Sequence, residues 1–277
     1  MNLYIIGNGF DLSHGLETSY EDFRVYLERE DKDYYEKITD LLPAKYSLWK
    51  DLEANLANVN PDNFDFLERI FGNENSPQSA MHFPIDILTK DLYSHLASWI
   101  NCVMKSAKSK KIEKKYIFNE NDIFLDFNYS STLVDVYKIS IYNDFRIHGN
   151  SVLSGEYNLS DCETVLGHKL NYYPVLDEIK HKEEYKVLCD ATAKNTKAII
   201  EADSTHFYQT LEENAKNISK VEVIGCSYSN IDLNYFIKVF EILGTEIVTI
   251  LNTYNDKDKI GAEKYRDDLG LNNCKVM

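Results

Sequence analysis

Four short segments carry residue types suited to nucleotide chemistry. Gly7-Asn8-Gly9-Phe10-Asp11 directly follows the apolar run Leu3 to Ile6. Glycine lets a backbone approach a phosphate, and the N-terminus of a following helix favours an anion. The same five residues also describe a plain structural turn, because Leu12 stands where a GxGxxG fingerprint needs its third glycine. Asp11 reads as an acceptor for ribose hydroxyls or as a helix N-cap, and spacing alone favours the cap. Asn128 follows the run Asp122 to Phe127. Its carboxamide both donates and accepts, so it can hold a water or a ribose hydroxyl, or cap a turn. His148 precedes Gly149 and offers an imidazole that titrates near neutral pH, although a lone histidine is more often an ordinary loop residue. Gly225 and Ser227 follow Val221 to Ile224 and are placed to meet a ligand, whereas Ser229 and Asp232 have the spacing of a capping box.

These segments serve one site only if strands deliver them to the same edge. Residues 3–6, 122–127, 221–224 and 246–251 are short, apolar and β-prone, and are expected in one mostly parallel sheet. Ligands of such sheets bind outside the carboxyl ends of the strands, which would gather the four segments. The fold class expected is α/β, with a Rossmann-like sheet and a helical insert after the first strand. One domain is expected over 1–277, with an insert lobe over 31–120 that is helical over 47–107. Thr18 and Ser19 ahead of Glu21 and Asp22 form a capping-box pattern for a helix through about Glu30. Ser130 or Ser131 is expected to cap a short helix, residues 139–147 alternate, and 176–200 and 205–218 read as helices. Residues 230–243 read as a helix burying Leu233, Phe236, Ile237, Phe240 and Leu243, with Gly244 closing it.

Composition narrows the function classes. The net charge of −15 repels phosphate backbones, so non-specific nucleic-acid binding and a nuclease effector are disfavoured. The one basic run is residues 105–115, read as a solvated helix end with lysine favoured at the C-terminal dipole. Cys102, Cys162, Cys189, Cys226 and Cys274 are dispersed, without the paired spacing of a zinc site, which suggests free thiols in a reducing compartment. No signal peptide and no apolar run long enough for a membrane are seen, so a cytoplasmic protein without a membrane partner is expected.

Read together, YIIGNGFDLSHGL, TSYEDF, Trp49 with Leu52-Glu53, FNYSSTL, IHGN and VIGCSYSNIDLNYF resemble the bacterial abortive-infection AbiH family, in its order. That resemblance implies a role in defence against phage. The same landmarks look like a diverged sirtuin-type NAD-binding fold. Gly7-x-Gly9 resembles the first glycine loop, Asn128 the asparagine of the Gln-Asn-Ile-Asp motif, His148-Gly149 the catalytic His-Gly, and Gly225-x-Ser227 the late ribose-contacting pair. Ser130 departs from the aspartate of that motif, and the zinc lobe that frames an acyl-lysine peptide is missing. The resemblance therefore implies NAD hydrolysis at the nicotinamide–ribose bond rather than deacylation, with NAD as substrate and no prosthetic group. Asn128 and His148 would be catalytic, and Gly7, Asn8, Gly9, Phe10, Asp11, Gly225 and Ser227 would bind the nucleotide. A module that senses a nucleotide or a phage component without turnover is the alternative. A phage-derived trigger and a homo-oligomer are left open.

Overall fold

A computed structural model describes residues 1–41, 49, 52, 87, 91–147, 204–228 and 232–277. In chain order the elements are β1 (Asn2–Ile6), α1 (Asn8–Ser13), α2 (Tyr20–Glu30), α3 (Lys32–Leu41) and α4 (Leu92–Ser109). Next come β2 (Ile123–Asp126), α5 (Thr132–Asp135), β3 (Asp144–Arg146) and α6 (204–214). The chain ends with β4 (Lys220–Ile224), α7 (Leu233–Leu243), β5 (Val248–Leu251), α8 (Asp256–Asp268) and β6 (Cys274–Val276).

The six strands form one sheet in the order β3-β2-β1-β4-β5-β6, and every pairing is parallel. This is the strand order of doubly wound dinucleotide-binding folds, so the expected Rossmann-like α/β class holds. The central strands are mostly apolar, as both of their faces are covered, with Asn2, Asp126, Lys220 and Glu222 the polar exceptions. Leu3, Ile5, Leu125, Val221 and Val223 face one core with Phe207, Phe236, Val239 and Tyr265 from α6, α7 and α8. Tyr4, Ile6, Phe124 and Ile224 face another with Phe10, Leu133 and Tyr137.

The chain divides into two compact units. The first holds Met1–Thr18, Ile100–Gly155 and Ile200–Met277, and with them the sheet. The second holds Ser19–Trp99 and Glu156–Ile199. In this second unit, Phe23 packs on Trp99 and Trp49 at 5.0 and 5.9 Å, and the Tyr34 hydroxyl donates to the Ile87 carbonyl at 2.9 Å. The capping box read from the sequence is present: Ser19 caps α2, its Oγ accepting from the Asp22 amide while the Asp22 carboxylate accepts from the Ser19 amide.

Several local expectations change. The alternating run 139–147 yields strand only over Asp144–Arg146. Helix α6 ends earlier than expected, and residues 215–217 continue as a 3-10 turn. In α7 the buried positions are Phe236, Val239 and Phe240, whereas Ile237 is 39% exposed. Its helical position turns Ile237 away from the sheet. Residues 53–86 of the expected helical insert and the expected helix 176–200 lie outside the described residues.

Candidate functional site

The registers set four strand ends side by side. Ile6 pairs with Asp126 and with Ile224, and Asp126 pairs with Arg146. The ladder runs one residue further on each side. Gly7 N–H donates to the Ile224 carbonyl at 2.8 Å, Phe127 N–H to Ile6 at 2.9 Å, and Ile147 N–H to Asp126 at 3.1 Å. Segments 7–11, 127–132 and 225–228, and Ile147 at the end of β3, therefore lie at one edge of the sheet. The strand order reverses between β1 and β4, where folds of this class open their ligand crevice.

At that reversal the glycines meet each other. Gly9 N–H donates to the Gly225 carbonyl at 2.8 Å, and Phe10 N–H donates to Gly7 at 2.9 Å. A methyl group on Gly7 would lie 2.6 Å from the Gly225 oxygen, and one on Gly9 2.8 Å from the Gly225 Cα. Gly225 has a φ of +76°, and a methyl there would overlap the Phe10 nitrogen. Glycine is thus required by backbone-on-backbone contact between two loops. The Gly7 and Gly9 amides are spent inside the protein, so a pyrophosphate resting there would meet the exposed Asn8 rather than a row of free N–H groups.

Asp11 is not the N-cap that its spacing suggests. Gly7, in extended backbone, occupies that position, and Asp11 lies inside α1. The helix starts earlier because the chain turns directly out of β1 while the Gly7 carbonyl accepts the first turn's amide. Asp11 is only 1% exposed, and the Ser130 and Thr132 hydroxyls bond to its carboxylate. Its Oδ1 has no partner. Burial pushes its pKa up to about 6 from an ordinary 3.8, against the pull of those hydroxyls and of Arg146.

Two further carboxyls join it. Asp126 and Asp144 are both buried on neighbouring strands, close enough that the charge on one disfavours the charge on the other. Burial, and then the neighbouring Asp144 charge, raises Asp126 well above the carboxylate range. Burial raises Asp144 as well, opposed by Arg146, whose Nη2 lies 2.7 Å from the Asp144 Oδ2. Asn128 is 3% exposed; its N–H donates to the Asp126 Oδ1 at 2.9 Å, and its own Oδ1 has no partner. A buried polar atom without a partner costs about 1–3 kcal/mol, so each marks a place where a hydrogen-bonding group is missing. Among the described residues no three His, Cys, Asp or Glu side chains are grouped to hold a metal ion.

Bacteriophage abortive infection AbiH is the family whose model matches this chain, over residues 3–254. The chain belongs to the AbiH family. No curated protein matches it, and no solved structure does. Membership carries a role in abortive infection of phage. Among the described residues no helix of this AbiH chain is long and apolar enough to cross a membrane.

The remaining residues singled out in the sequence take distinct places. The Phe10 ring is fully buried, 5.6 Å from Tyr137 and 5.3 Å from Tyr116, so only its backbone could face a ligand. Gly225 and Cys226 are buried, while Ser227 is exposed. Asp232, expected to close a capping box, itself occupies the N-cap of α7 without a side-chain capping bond. Ser131 holds the N-cap of α5, and its hydroxyl donates to Asp135 at 2.7 Å rather than to a backbone amide. His148 and Ser229 lie outside the described residues, which reach Ile147 on that strand end. Asp126, Asp144 and Arg146 were not singled out in the sequence. The signal was present, since a carboxylate closing the apolar run of β2 is buried on both sides.

Proposed function

We propose that this AbiH chain is a phage-defence effector that hydrolyses NAD at the nicotinamide–ribose bond. The observation that carries the reading is the pair of buried, unpartnered acceptors, Asp11 Oδ1 and Asn128 Oδ1, at the carboxyl edge beside the strand-order reversal. An oxocarbenium-like sugar cation forms as nicotinamide leaves, and a carboxylate and a carboxamide oxygen are the groups that favour it. Asn128 holds the attacking water. Asp11, with a pKa near 6, is matched to accept a proton near neutral pH. Water adds to the anomeric carbon, and nicotinamide leaves with the electron pair of the broken bond. The water's second hydrogen passes to Asp11 as a proton. The position of Asp11 also supports the resemblance to sirtuin-type sites, because the acid absent at Ser130 is supplied one hydrogen bond away. His148 would orient the ribose hydroxyls.

Purified protein incubated with NAD should release nicotinamide and ADP-ribose in equal amounts. Asn128→Ala should lose about 10²–10⁴ in rate with its melting curve unchanged or raised. Wild-type turnover in that variant overturns the assignment. Ser130, standing where the sirtuin motif has its aspartate, favours the second reading, a nucleotide-sensing module. Saturable NAD binding without nicotinamide release would establish it.

A further inference from the structure

The basic run 105–115 has no part in the site described above. It carries six lysines and one glutamate in a chain of net charge −15. The structure puts its second half beyond the end of α4, not on a solvated helix terminus. There it borders a cleft of about 420 Å³, whose opposite wall is the end of α1 and the following turn, Ser13 to Glu17. That volume lies within the range of small-molecule pockets. All of these residues belong to the first compact unit.

Two of the six lysines have internal partners: Lys108 reaches the Asp135 carboxylate at 3.6 Å, and Lys114 lies 5.6 Å over the Tyr137 ring. Lys110, Lys111 and Lys115 line the cleft, and none of them has an ion pair among the described residues. Glu17 and Glu113 also line it without pairing to them. Three unpaired ammonium groups lining one cleft favour an anionic occupant. The floor is preorganised. His14 donates from Nδ1 to the Phe10 carbonyl at 2.7 Å and accepts from the Tyr137 hydroxyl at Nε2, also at 2.7 Å. The Tyr137 oxygen in turn accepts the Lys115 and Tyr116 amides at 2.9 and 3.2 Å. The two walls are thereby tied together across the cleft, while Leu16, Val103 and Ala107 supply apolar surface.

We propose that this cleft is a second ligand site, for a small organic polyphosphate. Its phosphates would be held by Lys110, Lys111 and Lys115, and its organic group would lie against Leu16, Val103 and Ala107. Helix α1 is common to both places: His14 and Ser13 face the cleft, and Asp11 belongs to the carboxyl cluster. A bound polyphosphate therefore fixes the helix that positions Asp11, and this is the type of contact through which a small-molecule signal would reach the defence site.

The test is calorimetric titration with inorganic tripolyphosphate and with ATP, in the wild type, in Lys110→Glu/Lys111→Glu and in Asn128→Ala. Tripolyphosphate should bind saturably to the wild type and about tenfold or more weakly to the double variant, since charge-assisted contacts are lost. ATP should bind more tightly than tripolyphosphate. Asn128→Ala should bind tripolyphosphate as the wild type does. In labelled protein the His14 ring resonances should shift on titration. No saturable tripolyphosphate binding by the wild type, affinity kept within twofold in the double variant, or a loss in Asn128→Ala would each overturn the proposal. None of these readouts depends on nicotinamide release, so the two readings fail separately.

Discussion

Replacing Gly225 by alanine tests whether the glycines at the strand-order reversal are there for close backbone packing. Two costs are separable. A φ of +76° is disfavoured for any residue with a Cβ, by roughly 1–2 kcal/mol. The added methyl would also overlap the Phe10 nitrogen and lie 2.7 Å from the Gly7 oxygen and the Gly9 carbonyl carbon. These are backbone atoms that no rotamer change can move, so overpacking adds about 1–3 kcal/mol. The sum, about 3 kcal/mol, is a large share of the ~5–15 kcal/mol that holds an ordinary domain together. Gly270→Ala is the control. It has a φ of +61° and nothing within 4 Å of the added methyl, so only the conformational cost of about 1–2 kcal/mol applies. Urea titration followed by circular dichroism should find Gly225→Ala less stable than Gly270→Ala by about 2 kcal/mol. Equal losses in the two variants would refute the packing argument and return Gly225 to the status of an ordinary turn residue.

The buried acids give two further expectations. Folded Asp11 keeps its proton up to about pH 6, whereas an unfolded aspartate releases it near 3.8. Its contribution to stability is therefore complete below about pH 4 and is lost as pH rises through 6. At 1.36 kcal/mol per pH unit this amounts to at most about 3 kcal/mol. Relative to Asp11→Asn, the wild type should lose that much stability between pH 4 and pH 7 in denaturant titrations, and a flat difference would contradict the buried-carboxyl assignment. Arg146→Met removes the cation from an Asp144 side chain that is 1% exposed, at a cost of about 3–5 kcal/mol at pH 7 and less at pH 4, where Asp144 takes a proton. A loss that does not shrink at low pH would count against the pair. Ser19→Ala removes half of the capping box of α2 and should cost about 1 kcal/mol in thermal melts while leaving nicotinamide release at the wild-type rate.

Much of the frame was legible because its signals are local or periodic. Leu3 to Ile6 and Val221 to Ile224 are apolar runs of strand length, and Ser19 with Asp22 is a capping box whose two bonds lie within four residues. The site was legible only in outline. That four strand ends share one edge follows from parallel pairing alone. That Asp11 meets Ser130 and Thr132, or that Asp126 is buried beside Asp144, depends on register between strands distant in sequence, which no local pattern records. Asp11 misled for a related reason: a helix that begins immediately after a strand leaves no room for a polar cap, so the aspartate moves inside. Helix α8 was missed although Asn255 caps it through the Asp258 amide, because its thirteen residues are mostly charged and show almost no apolar stripe.

The position of β1 at the centre of the sheet has a consequence for how the protein is made. Leu3 pairs with Ile123 on one side and with Val221 on the other. The first strand to leave the ribosome therefore waits for partners that follow much later. At ~5–20 residues per second, the second partner arrives roughly 10–40 s after the first strand. Until then the Gly7–Gly9 turn has no Gly225 to close against, and the edge that carries Asp11 and Asn128 is incomplete. A copy cut short before β4 therefore lacks the glycine junction altogether, whatever the rest of it folds into.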